Sequence, residues 1–125
     1  MPIQLVVDHE TKEVKTVATG PIVMEDIQNH LARERKEGGL AYRELVDASE
    51  AVPLMRTTDA RETVELLKTL AAQGMLGPTA IIVPNEVGYG LVRMVEILLD
   101  GVAEVRPFRK AEAAEAREWL KGKGV

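Results

Sequence analysis

Short apolar runs rich in β-branched residues alternate along this chain with longer stretches of helical period. That alternation restricts it to a layered α/β fold. Residues 3–8 form the first run. In the second, Val14, Thr16 and Ala18 take one face, and Lys15, Val17 and Thr19 the other. A polar turn at residues 9–12 joins the two runs into an antiparallel hairpin, and Gly20-Pro21 ends it.

A helix is predicted over residues 24–36. Met24, Ile27 and Leu31 lie at i, i+3 and i+7, acids come early and bases late, and Gly38-Gly39 stops the element. Residues 42–47 read as a third strand, followed by a loop over 48–58. A second helix opens at Asp59, which has capping-box spacing to Glu62, and closes at Gly74. Its inner stripe is Val64, Leu67 and Ala71. Residues 79–83 are continuously apolar, as in a central strand buried on both faces. A third helix is expected at 87–99, a last strand at 103–108 and a closing helix at 111–120, with residues 121–125 frayed. The order β-β-α-β-α-β-α-β-α predicts a mixed five-stranded sheet with four helices, opening with a hairpin, in one domain over 1–125.

Composition removes several functions. The 125 residues include no cysteine, so disulfides, thiolate metal sites and a cysteine nucleophile are excluded. Sixteen basic against twenty acidic groups give a net charge of −4, and only 3% of residues are aromatic. An acidic chain with so few stacking side chains is a poor nucleic-acid binder. The charge is uneven, because residues 106–125 hold six bases and three acids. That segment reads as a solvated final helix, with a basic docking patch as the alternative. The start has no basic leader and no stretch is apolar enough to enter a membrane, so a cytoplasmic location is expected.

The candidate chemistry is sparse. Ser49, the only serine, lies outside any nucleophile elbow and reads as a loop residue bonded to nearby backbone. Gly88-Tyr89-Gly90 follows a strand and opens a helix, but Arg93 stands where a dinucleotide fingerprint needs its third glycine. The glycines are then expected to let the start of the helix pack closely, and no cofactor is expected. Asp26, His30 and Glu34 recur every four residues and share a helix face. They border the apolar stripe and read as a solvated flank, so no metal is expected. Asp8, Asp47 and Glu86 lie at strand ends, where lone carboxylates are usually structural.

The third helix has only Arg93, Glu96 and Asp100 as a polar line. A helix so apolar must be covered on more than one side: by its own core, by a second copy of the chain, or by a ligand.

Several stretches resemble a known family. They are Met1-Pro2-Ile3-Gln4-Leu5 with its hairpin, Tyr42-Arg43-Glu44-Leu45-Val46-Asp47-Ala48, and Gly90-Leu91-Val92-Arg93-Met94 after Ile81-Ile82-Val83-Pro84. Val105-Arg106-Pro107-Phe108-Arg109, with the alanine-rich helix ending in Trp119-Leu120, adds to them. Together they look like the SpoIIAA-like branch of the STAS (STAS/SEC14-like) domain family, whose members are generally not enzymes. In the anti-sigma-factor antagonists of that family a serine at the start of the second helix is phosphorylated, within the pattern Asp-Ser-Ser-Gly. This chain has Thr57-Thr58-Asp59-Ala60 there, so the resemblance leaves Thr57 and Thr58 as phosphate acceptors and departs from the pattern at both serine and glycine.

The leading expectation is a non-catalytic, cytoplasmic module, a homodimer, acting through a protein partner. Leu54, Met55, Tyr89, Leu91, Arg93 and Met94 are its candidate interaction surface. The alternative is a carrier or sensor of a small apolar or anionic ligand, held between the sheet and the third helix. An enzyme of unknown class comes third, with no catalytic residues assigned.

Overall fold

A computed structural model of the chain describes residues 2–74 and 76–123. The strands are β1 (Ile3–Asp8), β2 (Glu13–Ile22), β3 (Arg43–Pro53), β4 (Thr79–Ile82) and β5 (Val105–Phe108). The helices are α1 (Met24–Lys36), α2 (Thr57–Ala72), α3 (Glu86–Leu98) and α4 (Ala113–Lys121), with a short 3-10 turn at Lys110–Glu112. The sheet runs β1-β2-β3-β4-β5, antiparallel between β1 and β2 and parallel thereafter. The mixed five-stranded α/β architecture with four helices is as the sequence predicts.

β1 and α1 match their predicted bounds, and the hairpin forms. Other boundaries move. β2 runs through Gly20-Pro21, because Gly20, Pro21 and Ile22 pair with Ala51, Val52 and Pro53 of β3. β1 pairs only as far as Ala18, so this end of β2 has a neighbour on one side and tolerates a proline without an N–H. β3 therefore continues to Pro53 where a loop was expected. Ser49 lies within the strand, and its hydroxyl donates to Asp47 Oδ1 at 2.6 Å.

α2 begins two residues early. Asp59 is not the N-cap: it sits in the first turn and accepts from the Arg56 N–H at 2.8 Å. Asp26 in α1 and Glu112 before α4 use the same contact, accepting from Val23 and Arg109 at 2.9 and 2.7 Å. A carboxylate at that position satisfies an orphan N–H and meets the positive end of the helix dipole. β4 is buried as predicted but lies next to the sheet edge; β3 holds the centre. β5 is shorter than expected, and the closing helix starts at Ala113 after its 3-10 turn. Residues 124 and 125, part of the frayed end expected, lie outside the described residues, while Lys123 pairs with Glu104 at 2.6 Å.

Helices α1, α2 and α3 cover one face of the sheet, and α4 covers the other through Ala116 and Leu120 against Ala80, Ile82 and Phe108. On the three-helix side the core includes Leu40, Val64, Leu67, Leu70, Leu99 and Val105. Among the described residues, no helix is long and apolar enough to cross a membrane.

Candidate functional site: an apolar cavity with a buried acid–histidine end

The helix-covered face of the sheet carries small side chains. Thr16 and Ala18 come from β2, Val46, Ala48 and Ala51 from β3, and Thr79 from β4. Strand parity alone would turn Ala51 away from the residues at 44, 46 and 48. A bulge corrects this: Val17 pairs Asp47 but Thr19 pairs Glu50, so β3 contains one extra residue. The bulge returns Ala51 and Pro53 to the face of Glu44, Val46 and Ala48. Longer side chains on the helices, Ile27, Leu31, Leu67, Leu91, Val92 and Val95, hold the layers apart. What remains between them is a cavity of about 220 Å³.

One end of the cavity is polar. Glu44, on β3, accepts from the Thr16 hydroxyl at 2.6 Å and from His30 Nε2 at 3.0 Å, both at Oε2. Glu34, one turn beyond His30 on α1, brings its carboxyl to within 4.8 Å of the ligand atoms of His30 and Glu44. The side chains of His30, Glu34 and Glu44 are only 10%, 2% and 8% exposed.

Two buried carboxyls this close cannot both be ionised. Burial first, and then the charge of Glu44, push the Glu34 carboxyl up to about 10, so it is a neutral acid at pH 7. Glu34 also occupies the last turn of α1, the negative end of the helix dipole, where a charge of its sign is disfavoured. Gly39 and Gly38 donate to the carbonyls of Glu34 and Arg35 at 2.9 and 3.1 Å, a Schellman closure that fixes this turn. Burial would raise Glu44 as well, but hydrogen bonds from His30 and Thr16 outweigh it and hold that carboxyl below its ordinary value.

His30, Glu34 and Glu44 offer ligand atoms within 4.8 Å of one another, which raises the question of a metal ion. The donor chemistry argues against one. Nε2 of His30 faces Glu44, so an ion bound there would leave the ring proton on Nδ1. That nitrogen is buried and has no hydrogen-bond partner. A metal-bound histidine almost always donates its other N–H to an oriented acceptor.

Sequence comparison gives no guide to the site: no family model matches the chain, and no curated protein is significantly similar. Comparison of structures does find chains of similar fold. One is an uncharacterized protein of the DUF3478 family, described as having a SpoIIAA-like fold, from Shewanella loihica PV-4. It is 17% identical, with 94% of this chain and 93% of that chain covered at a TM-score of 0.60. The chain has a SpoIIAA-like fold.

Within this SpoIIAA-like fold the residues singled out from sequence scatter. Met55 and Leu91 line the cavity, whereas Leu54 is 58% exposed and points outward. Tyr89 lies under the Arg109 guanidinium at 3.9 Å. Arg109 also donates to both carboxylate oxygens of Glu86 at 2.8 and 3.1 Å, tying the start of α3 to the end of β5. Those hydrogen bonds hold the Glu86 carboxyl below its usual value. Arg93 pairs with Glu96 at 2.6 Å, and Met94 is half-buried on α3. Thr57 and Thr58 are exposed in the first turn of α2, not ahead of it. Gly88 does permit a close approach, since a Cβ there would lie 3.1 Å from Pro84 Cδ, but Gly90 faces open space. His9 bonds the Tyr42 hydroxyl at 2.8 Å, away from the cavity.

The Asp26–His30–Glu34 line is the main correction. It is not a solvated flank: Asp26 closes the start of α1, and His30 and Glu34 are buried. Glu44 and Thr16 were not singled out, although strand parity puts each on a face with apolar neighbours.

Proposed function

We propose that this protein binds a small, largely apolar molecule between its sheet and helices α1, α2 and α3, as a carrier or sensor. The cavity itself carries the reading. Its walls are almost wholly apolar and it opens to solvent, so water there finds few partners, and an apolar molecule that replaces that water gains burial at roughly 25 cal/mol per Å². The small residues lining the sheet face create the space, and larger ones would close it. Further support comes from the polar end: Thr16 and His30 are both bonded to Glu44, which makes the three a fixed wall. The SpoIIAA-like fold is also compatible with a regulatory module that binds protein. Leu54 at 58%, Val87 at 75% and Ile97 at 57% exposure are the apolar side chains such a partner would cover.

Native mass spectrometry of protein purified gently from its own cells tests the leading reading directly. A stoichiometric small-molecule mass is expected. Titration with ethylbenzene provides the complement, with saturable uptake at one site per chain. Ala48→Phe places a ring in the cavity, and its ethylbenzene affinity is expected to fall by at least about tenfold. Because the ring enters existing space, its melting temperature should stay within a few degrees of the parent. Unaltered ethylbenzene binding by a folded Ala48→Phe protein would place the probe elsewhere and remove the proposal.

A further inference from the structure

We infer that the cavity selects an uncharged molecule bearing a hydroxyl at one end, whose O–H donates to the Glu44 carboxylate, and that it turns away carboxylates and ammonium ions. The inference rests on the binding reading above and adds the chemistry of the ligand's head. The polar groups that reach the cavity set it. Thr63 and Thr79 also line the wall, but their hydroxyls donate to backbone carbonyls, of Asp59 at 2.9 Å and of Gly77 at 3.4 Å. Among the described lining residues, Glu44 is the only carboxylate and His30 the only other titratable group.

Acceptor counting then narrows the head group. A carboxylate has about four lone-pair positions. Thr16 and His30 each direct one donor to Oε2 of Glu44, which leaves Oε1 to accept from a ligand. A hydroxyl brings a single O–H and fits that vacancy. An ammonium is attracted to Glu44, but it gives up the hydration of a full charge and brings three N–H donors, of which those beyond Glu44 Oε1 and His30 Nδ1 meet apolar wall. A ligand carboxylate brings no donor and sets a second negative charge beside Glu44 where little water screens it. Size narrows the rest. An apolar cavity of about 150 Å³ accommodates benzene, so this one has room for roughly nine heavy atoms.

Phenethyl alcohol, phenethylamine, phenylacetate and ethylbenzene share one ring and spacer and differ at the head. Each is titrated calorimetrically into the full chain near neutral pH. Phenethyl alcohol is expected to bind one per chain, at least about tenfold tighter than phenylacetate and phenethylamine and severalfold tighter than ethylbenzene. In Glu44→Gln the charge is gone, and the handicap of phenylacetate is expected to shrink to about threefold or less. Phenylacetate or phenethylamine binding as tightly as the alcohol overturns the inference, as does a folded Glu44→Gln protein with unchanged discrimination. If Glu44→Gln does not fold, the parent series decides alone. Ethylbenzene binding as tightly as the alcohol overturns the head-group inference and leaves the cavity reading standing. Failure of all four to bind overturns both.

Discussion

Raising the pH from about 6 to about 9 is expected to lower the melting temperature by several degrees per unit, and Glu34→Gln is expected to remove most of that fall. In the folded chain Glu34 keeps its proton up to about 10, against an ordinary value of 4.5. A group whose pKa is raised by folding contributes stability that is whole below its unfolded value. That contribution drains as pH climbs towards the folded value, by at most about 1.4 kcal/mol per pH unit. Glu44 has the opposite sign. Its carboxyl is held below 4.5, so its contribution is present at neutral pH and is lost in acid. The two share one buried site and titrate as a pair, which places maximum stability on the acid side of neutrality. Glutamine at position 34 is neutral without a proton to lose. Near pH 9 the variant is expected to melt about 5 °C or more above the parent. Thermal unfolding followed by circular dichroism across this range checks the result. A parent curve flat with pH, or a Glu34→Gln curve of undiminished slope, would show that no proton is held there.

The sequence shows the buried acids more plainly than solvation arguments suggest. Glu34 lies at i+3 from Leu31 and i+7 from Ile27, so the apolar stripe of α1 runs directly into it. Assigning it to the polar flank by residue type ignored this geometry. Glu44 shares strand parity with Val46, and Thr16 with Val14 and Ala18, so the period of two turns both toward the helices. What sequence does not show is that these three stretches converge. That depends on β2 and β3 being parallel neighbours in register, with Val14 opposite Glu44. A buried polar residue on one strand signals a site only once its cross-strand partner is known.

Boundaries failed for related reasons. Gly20-Pro21 is a strong turn signal when local sequence is all there is, yet pairing with the far end of β3 overrides it. The bulge in β3 has no local signature in the alternation, because Ala48, Ser49 and Ala51 fit either face. The cavity depends on that bulge, since it keeps small residues on the covered face past residue 48. The apolar third helix was expected to be covered on more than one side, and in the structure the sheet side alone is covered. Val92 and Val95 meet the core and Leu91 the cavity, while Val87 and Ile97 remain exposed.

Gly77→Ala should be among the most damaging single substitutions in the chain, costing about 3 kcal/mol or more. A Cβ at this position would lie 2.3 Å from the Tyr42 carbonyl oxygen and 2.6 Å from that of Ala41. Both are backbone atoms and cannot rotate aside as a side chain would, so the segment leading into β3 must move. Its position is set by hydrogen bonds on either side of the glycine. The Gly77 N–H donates to Leu40 at 2.8 Å, and the Glu44 N–H donates to Pro78 at 2.9 Å. The second bond fixes the backbone of the carboxylate that organises the polar end of the cavity. The damage should therefore reach the site as well as the fold. In whatever fraction remains folded, ethylbenzene uptake is expected to weaken and the pH dependence carried by Glu34 to flatten, because the Glu34–Glu44 contact is loosened. Chemical denaturation measures the first effect, and the ethylbenzene titration and melting series measure the others. A Gly77→Ala protein with parental stability would mean that the approach of residue 77 to the 41–42 backbone is not tight, and that another contact holds Glu44 in register.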